Sequence, residues 1–292
     1  MNTLSQTELS EICSHLREKS PKNISRIYGG HIHSAWKIDF SEYSIFVKKN
    51  IRRNKFLQFE NHCLNDLMKY INTENLVVPK VLDYIFIDDN ELLLLEWIDL
   101  KNNNQRQLGK GLAEMHLKSN KNNPKRFGYS KPGFIGKSNQ LAGWYSEWSD
   151  CFIKLRLEPQ LSNLKNNYYD YDIFKELKLK IANQLIKHEP INSLVHGDLW
   201  SGNVGIGNRN QGVIFDPACW WADSEVDIAM SYLFGCFNKE FYEEYHKIIP
   251  EKEGFANRLI IYNFYHILNH ANMFGGIYCK QVDEYIHDIL SM

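Results

Sequence analysis

An aspartate and an asparagine stand five positions apart in His196-Gly197-Asp198-Leu199-Trp200-Ser201-Gly202-Asn203, and Asp216 closes the run Gly212-Val213-Ile214-Phe215 thirteen positions further on. The octet is polar and glycine-bearing, which suits a tight loop, while the apolar run before Asp216 suits a strand. Such a loop and strand, set side by side, bring two carboxylates and an amide into one site. There Asp198 can accept a proton from a substrate hydroxyl, while the Asn203 amide oxygen and the Asp216 carboxylate can ligate Mg²⁺ and bridge it to nucleotide phosphates. The bland reading is a glycine turn whose Asp caps a helix and whose Asn tolerates a left-handed backbone. It leaves Asp216 unexplained.

The segments before this loop supply the rest of the protein-kinase pattern. Residues 5–17 read as an amphipathic helix, and residues 24–40 as two strands around Tyr28-Gly29-Gly30-His31-Ile32-His33. Paired Gly29 and Gly30 let a backbone approach a ligand and aim N–H groups at phosphate. Tyr43-Ser44-Ile45-Phe46-Val47-Lys48 alternates as a third strand with Lys48 at its end, placed to hold the α- and β-phosphates of ATP. Phe56, Phe59, Cys63, Leu64 and Leu67 mark one face of a helix over residues 56–70, and Glu60 in its first half is the expected partner of Lys48. Two more strands, over residues 80–87 and 91–97, complete a five-stranded small lobe. A hinge is expected at Glu96, Trp97 and Ile98, whose backbone would meet the adenine edge of the nucleotide. From Gln107 onward the pattern is helical, with segments led by Leu108, Leu112, Met115 and His116, then spanning residues 141–157 and 173–186. The predicted fold class is α+β, in the two-lobe protein-kinase manner. A small antiparallel β lobe takes residues 1–98 and a larger, mostly α-helical lobe residues 99–292.

Composition narrows the partners. A chain of 292 residues with 43% hydrophobic and 13% aromatic residues can bury a large core. A net charge of −1 gives no general attraction to nucleic acid or to an anionic membrane. The cluster Lys48, Lys49, Arg52, Arg53 and Lys55 is not extended elsewhere and reads as an exposed charged face. The six cysteines are scattered without a C-x-x-C pair, and neither a secretory signal nor an 18-residue apolar span is present, so reduced thiols in the cytoplasm are expected.

Three motifs fail on inspection. Gly133-Phe134-Ile135-Gly136-Lys137-Ser138 lacks the first glycine of a Walker A loop, because Lys131 occupies that place. His266 and His270 stand four apart, but Ile267 replaces the acidic residue of a zinc-protease helix, so core or hydrogen-bonded histidines are expected. Ser201 lacks the G-x-S-x-G turn of a serine hydrolase.

Nearly end to end, the chain resembles the fructosamine kinase, or ketosamine-3-kinase, family within the aminoglycoside- and choline-kinase-like group. The likeness rests on Leu194-Val195 followed by the octet, on Phe46-Val47-Lys48, on Leu108 to Leu117, and on Trp148 to Leu161. It continues through Ile214-Phe215-Asp216-Pro217-Ala218, Asp223 to Met230, Leu233-Phe234-Gly235 and the tail Leu268 to Gly276. The resemblance implies transfer of the γ-phosphoryl group of ATP to the 3-hydroxyl of a ketosamine, free or on a protein lysine. In that setting Asp198 is the base, Asn203 and Asp216 hold Mg²⁺, and Lys48 with Glu60 clamps the nucleotide. Trp200, beside the base, is a candidate to stack on the sugar or its amine. Cys219-Trp220-Trp221-Ala222 and the stretch 129–134 depart from the family pattern near the expected substrate mouth. Asp216-Pro217-Ala218 replaces the D-F-G of protein kinases and no A-P-E follows, so control by activation-loop phosphorylation is not expected. Two other readings stay open: a kinase for another sugar or amino alcohol, and a nucleotide-binding pseudokinase that acts as an adaptor. Oligomeric state has no signature in the sequence.

Overall fold

A computed structural model describes residues 3–28, 33–51, 54–101, 103–164 and 171–292. The N-terminal region comprises α1 (Gln6–Leu16), β1 (Asn23–Ile27), β2 (Ser34–Asp39), β3 (Ser44–Ile51), α2 (Phe56–Met68), β4 (Leu76–Val77), β5 (Val81–Ile87) and β6 (Asn90–Glu96). Ser5 opens α1 through a capping box with Glu8, and Arg17 closes it in a left-handed conformation. Five strands form an antiparallel sheet in the order β1-β2-β3-β6-β5.

Alternation along β3 sorts its side chains between the two faces of this sheet. Ile45 and Val47 join Ile12 of α1, with Leu92 and Leu94 of β6, in an outer core. Lys49, on that same outer side, pairs with Glu8 of α1 at 2.7 Å. Lys48 and Phe46 point to the opposite face, where Leu93 and Leu95 belong to the main core of the molecule. Lys48 is not at the end of its strand. The strand runs three residues further, because Lys49 and Asn50 are buried with polar partners instead of turning to water.

The C-terminal region begins with α3 (Arg106–Lys121) and the short strands β7 (Phe127–Tyr129), β8 (Gly133–Ile135), β9 (Ser138–Gln140) and β10 (Gly143–Tyr145). Then α4 (Trp148–Phe152) runs through a π-helical turn, Ile153–Leu157, into α5 (Glu158–Asn163). The expected helix over 141–157 therefore starts later, at Trp148. Gly143-Trp144-Tyr145 carries the glycine and aromatics of a strand, and it pairs with β7.

Next come α6 (Tyr171–Ile186), β11 (Asn192–Val195), a 3₁₀ turn over Ser201–Asn203, β12 (Val204–Ile206), β13 (Gly212–Ile214) and β14 (Trp220–Asp223). The chain closes with α7 (Glu225–Leu233), α8 (Lys239–Ile248), α9 (Phe255–Phe274) and α10 (Ile277–Ser291). Helices predominate here, with β10-β7-β14-β11 as a four-stranded sheet. The hairpin β12–β13 takes β4 as a parallel third strand, which ties the two regions together. Among the described residues no helix is long and apolar enough to cross a membrane.

Candidate active site

The octet forms the link between β11 and β12, and Asp216 follows β13, the partner of β12. Three hydrogen bonds fasten the two loops to each other. His196 donates from Nε2 to the Phe215 carbonyl at 2.9 Å, the Ala218 amide donates to the His196 carbonyl at 2.8 Å, and the Phe215 amide donates to the Asn203 carbonyl at 3.0 Å. Gly197 makes the turn possible. Its φ is +82°, and a Cβ there would lie 2.2 Å from the Ala218 carbonyl oxygen. Asp216 also adopts a left-handed backbone, φ +58°, two residues past the end of β13.

Beneath the loop lies Asp227 of α7, fully buried, which lies in the stretch Asp223 to Met230 and has no role of its own legible from the sequence. Its carboxylate accepts from the amides of His196 at 2.7 Å and Gly197 at 2.8 Å, and from His116 Nε2 of α3 at 3.1 Å. Tyr245 of α8 meets the other nitrogen of His116 at 2.9 Å. Burial alone would raise Asp227, but the bonds from His116 and Gly197 outweigh it and hold the carboxyl below its usual range. An aspartate inside the apolar run Val226-Asp227-Ile228-Ala229-Met230 was the available signal.

The predicted residues gather on a cleft of about 600 Å³. Lys48, Glu60, Asp198, Asn203, Asp216 and Trp200 line it, as do Glu96, Trp97 and Ile98. Gly29 and Gly30 lie outside the described residues. Lys48 is buried and donates to Glu60 Oε1 at 2.7 Å and to the Asp216 carboxylate. Burial works against its charge, yet Asp216 and Glu60 outweigh that and hold the ammonium above the usual lysine range. Burial lifts Glu60 to about 7, against the pull of Lys48.

Asn203 is buried and gives its amide nitrogen to Asp198, at 2.9 Å from the carbonyl and 3.1 Å from the carboxylate. Burial, then the nearby Asp216 charge, lifts Asp198 to about 7. The Asp216 side chain keeps 46% of its exposure, and the residue lines the open cleft. The Asn203 amide oxygen and the Asp216 carboxylate, beside a fixed lysine, form a hard-oxygen donor set that fits Mg²⁺.

Other lining residues had no ligand role assigned from the sequence, although Phe134 falls in the stretch expected near the substrate mouth. His33, Phe56, Pro79, Phe134 and Gly136 all border the cleft. Phe134 and Gly136 belong to the segment set aside as a false Walker loop, which is a β8–β9 hairpin packed on α2, with the Phe134 and Phe56 rings 4.1 Å apart. Of the other rejected motifs, His266 is fully buried and His270 bonds back to the His266 carbonyl at 2.8 Å.

A family model described as fructosamine kinase matches residues 4–292. A protein of Vibrio vulnificus named as a probable ketoamine kinase is 36% identical over 267 residues, covering 90% of this chain and 91% of that one. The chloroplastic protein-ribulosamine 3-kinase of Arabidopsis thaliana is 34% identical over 275 residues, covering 92% and 83%. The crystal structure of a protein assigned as a fructosamine-3-kinase from Haemophilus somnus superposes with a TM-score of 0.83 at 27% identity, covering 97% and 96%. The aminoglycoside phosphotransferase APH(4)-Ia shares the fold, with a TM-score of 0.66 at 14% identity over 98% of both chains.

Proposed function

The chain belongs to the fructosamine kinase family, is a phosphotransferase with the protein-kinase-like fold, and from that premise we propose that it phosphorylates a ketosamine hydroxyl, at O3, using ATP and Mg²⁺. The observation that carries this reading is the convergence of Asp198, Asn203 and Asp216 with Lys48 on one cleft. We read the chain as two lobes, residues 1–98 and 99–292, the first supplying Lys48 and Glu60 to the cleft and the second the octet.

In this assignment Lys48, steadied by Glu60, holds the nucleotide phosphates, and the hinge residues Glu96, Trp97 and Ile98 border the base. Asn203 and Asp216 hold Mg²⁺, and both are already oriented by Asp198 and Lys48. When bound, the nucleotide supplies the phosphoryl group and the metal neutralises its charge. Asp198 orients the acceptor hydroxyl and takes its proton, while Trp200 borders the acceptor's sugar or amine. Because phosphoryl transfer needs positioning and charge neutralisation more than covalent help, these fixed groups suffice for the chemistry.

The acceptor is a small ketosamine or a glycated protein, and the six free thiols, four of them buried, favour the cytoplasm as its setting. The test is a panel of free ketosamines, a glycated protein, plain sugars and amino alcohols, scored by acceptor-dependent ADP release and by the position of phosphate in the product. Release with ketosamines alone supports the reading. Preference for a plain sugar or amino alcohol overturns the acceptor, and nucleotide binding without release overturns the enzyme.

A further inference from the structure

We propose that Glu91 is a positioning residue of the nucleotide clamp, acting through α2 on Glu60. The inference rests on the reading of Lys48 and Glu60 just given. Helix α2 starts without a cap of its own. Lys55 occupies the N-cap with φ 66°, makes no side-chain cap bond, and no acidic residue lies in the first turn. The amides at a helix start need partners from somewhere.

Here they come from the sheet. The Glu91 carboxylate, on β6, accepts from the Lys55 amide at 2.5 Å and the Leu57 amide at 3.0 Å. Glu91 is 0% exposed and also accepts from Asn50 Nδ2 at 3.4 Å. Asn50 is its cross-strand partner, and two residues along the same ladder Lys48 stands opposite Leu93. Glu91 and Lys48 therefore share the sheet face that α2 covers.

That face grips the helix at two points. Glu91 takes the amides of the first turn, and Lys48 takes the Glu60 carboxylate at 2.7 Å, farther along the helix. A carboxylate at a helix N-terminus is electrostatically favoured, and α2 cannot lift from the sheet without stranding a buried charge. The register of Glu60 against Lys48 is thus set partly by Glu91, which touches neither nucleotide nor acceptor.

The test is a double-substitution cycle in the full chain, using the isosteric changes Glu91→Gln and Glu60→Gln, with the nucleotide Kd measured by calorimetry. Each single change is expected to weaken nucleotide binding by about fivefold or more, and the pair to be no worse than Glu60→Gln alone within about twofold. Amide exchange in the first turn of α2 should quicken in Glu91→Gln and stay unchanged in Glu60→Gln. Fully multiplicative losses, or an unchanged Kd in Glu91→Gln while Glu60→Gln weakens it, overturn the proposal. If Glu60→Gln itself binds nucleotide normally, the clamp reading fails, and this inference with it.

Discussion

The Asn203 amide nitrogen donates to Asp198 twice, at 2.9 Å to its carbonyl and 3.1 Å to its carboxylate, so the amide oxygen is the atom left to a metal. One side chain thereby orients the base and turns a ligand outward. The base works only when ionised, and Asp198 is lifted to about 7 by burial and by the charge of Asp216. With the folded carboxyl lifted above the usual carboxylate range, kcat/KM should fall on the acid side as Asp198 takes up its proton, and level off above it. Asn203→Asp replaces the donor by a like charge and is expected to move that limb upward in pH. A pH profile of kcat/KM for both proteins checks this, and an unmoved limb in the variant would contradict it.

Trp200 lies over Gly202, where an added Cβ would sit 2.2 Å from the indole, and meets Phe234 edge-on at 6.2 Å. Trp200→Ala should raise KM for a ketosamine by about tenfold and leave nucleotide affinity within about twofold. Equal loss toward both ligands would assign the indole to packing.

Gly197→Ala introduces both a left-handed strain and a backbone clash at the hinge of the octet. A loss of about 2 kcal/mol or more in unfolding free energy is expected, with activity falling further because Asp198 is the next residue. Denaturant titration beside a turnover assay measures the two effects separately.

His266 is fully buried, and neither ring nitrogen has a hydrogen-bond partner among the described residues. Burial depresses it to about 3, well below the usual imidazole range. The folded value is depressed, so the unfolded chain takes up the proton first, and stability present above pH 6.5 is lost as pH falls toward 3. This one group should contribute about 1.4 kcal/mol per pH unit across that window. His266→Leu should flatten the pH dependence of unfolding free energy by about one proton there; an unchanged slope would show that His266 is not responsible.

The octet and Asp216 were legible because their chemistry depends on local spacing, and Lys48 and Glu60 because each sits on an element with clear periodicity. Long-range partnership was not legible. Asp227 meets His116 from 111 residues away, and nothing near either residue announces the other. The continuation of β3 past Lys48 was hidden for a related reason: Lys49 and Asn50 look like surface residues until Glu8 and Glu91 are found beside them. The late start of α4 shows a competition between periods, since the apolar residues after 141 fit a helix while Gly143-Trp144-Tyr145 prefers a strand next to β7.

The central claim is that Asp198 serves the acceptor hydroxyl while the nucleotide is held by other groups. Asp198→Asn, given ATP, Mg²⁺ and a ketosamine, separates the two roles when nucleotide Kd and acceptor-dependent ADP release are measured on the same preparation. The account predicts an unchanged Kd within about threefold and turnover reduced by about a thousandfold or more. Turnover retained within tenfold of the parent protein would contradict it.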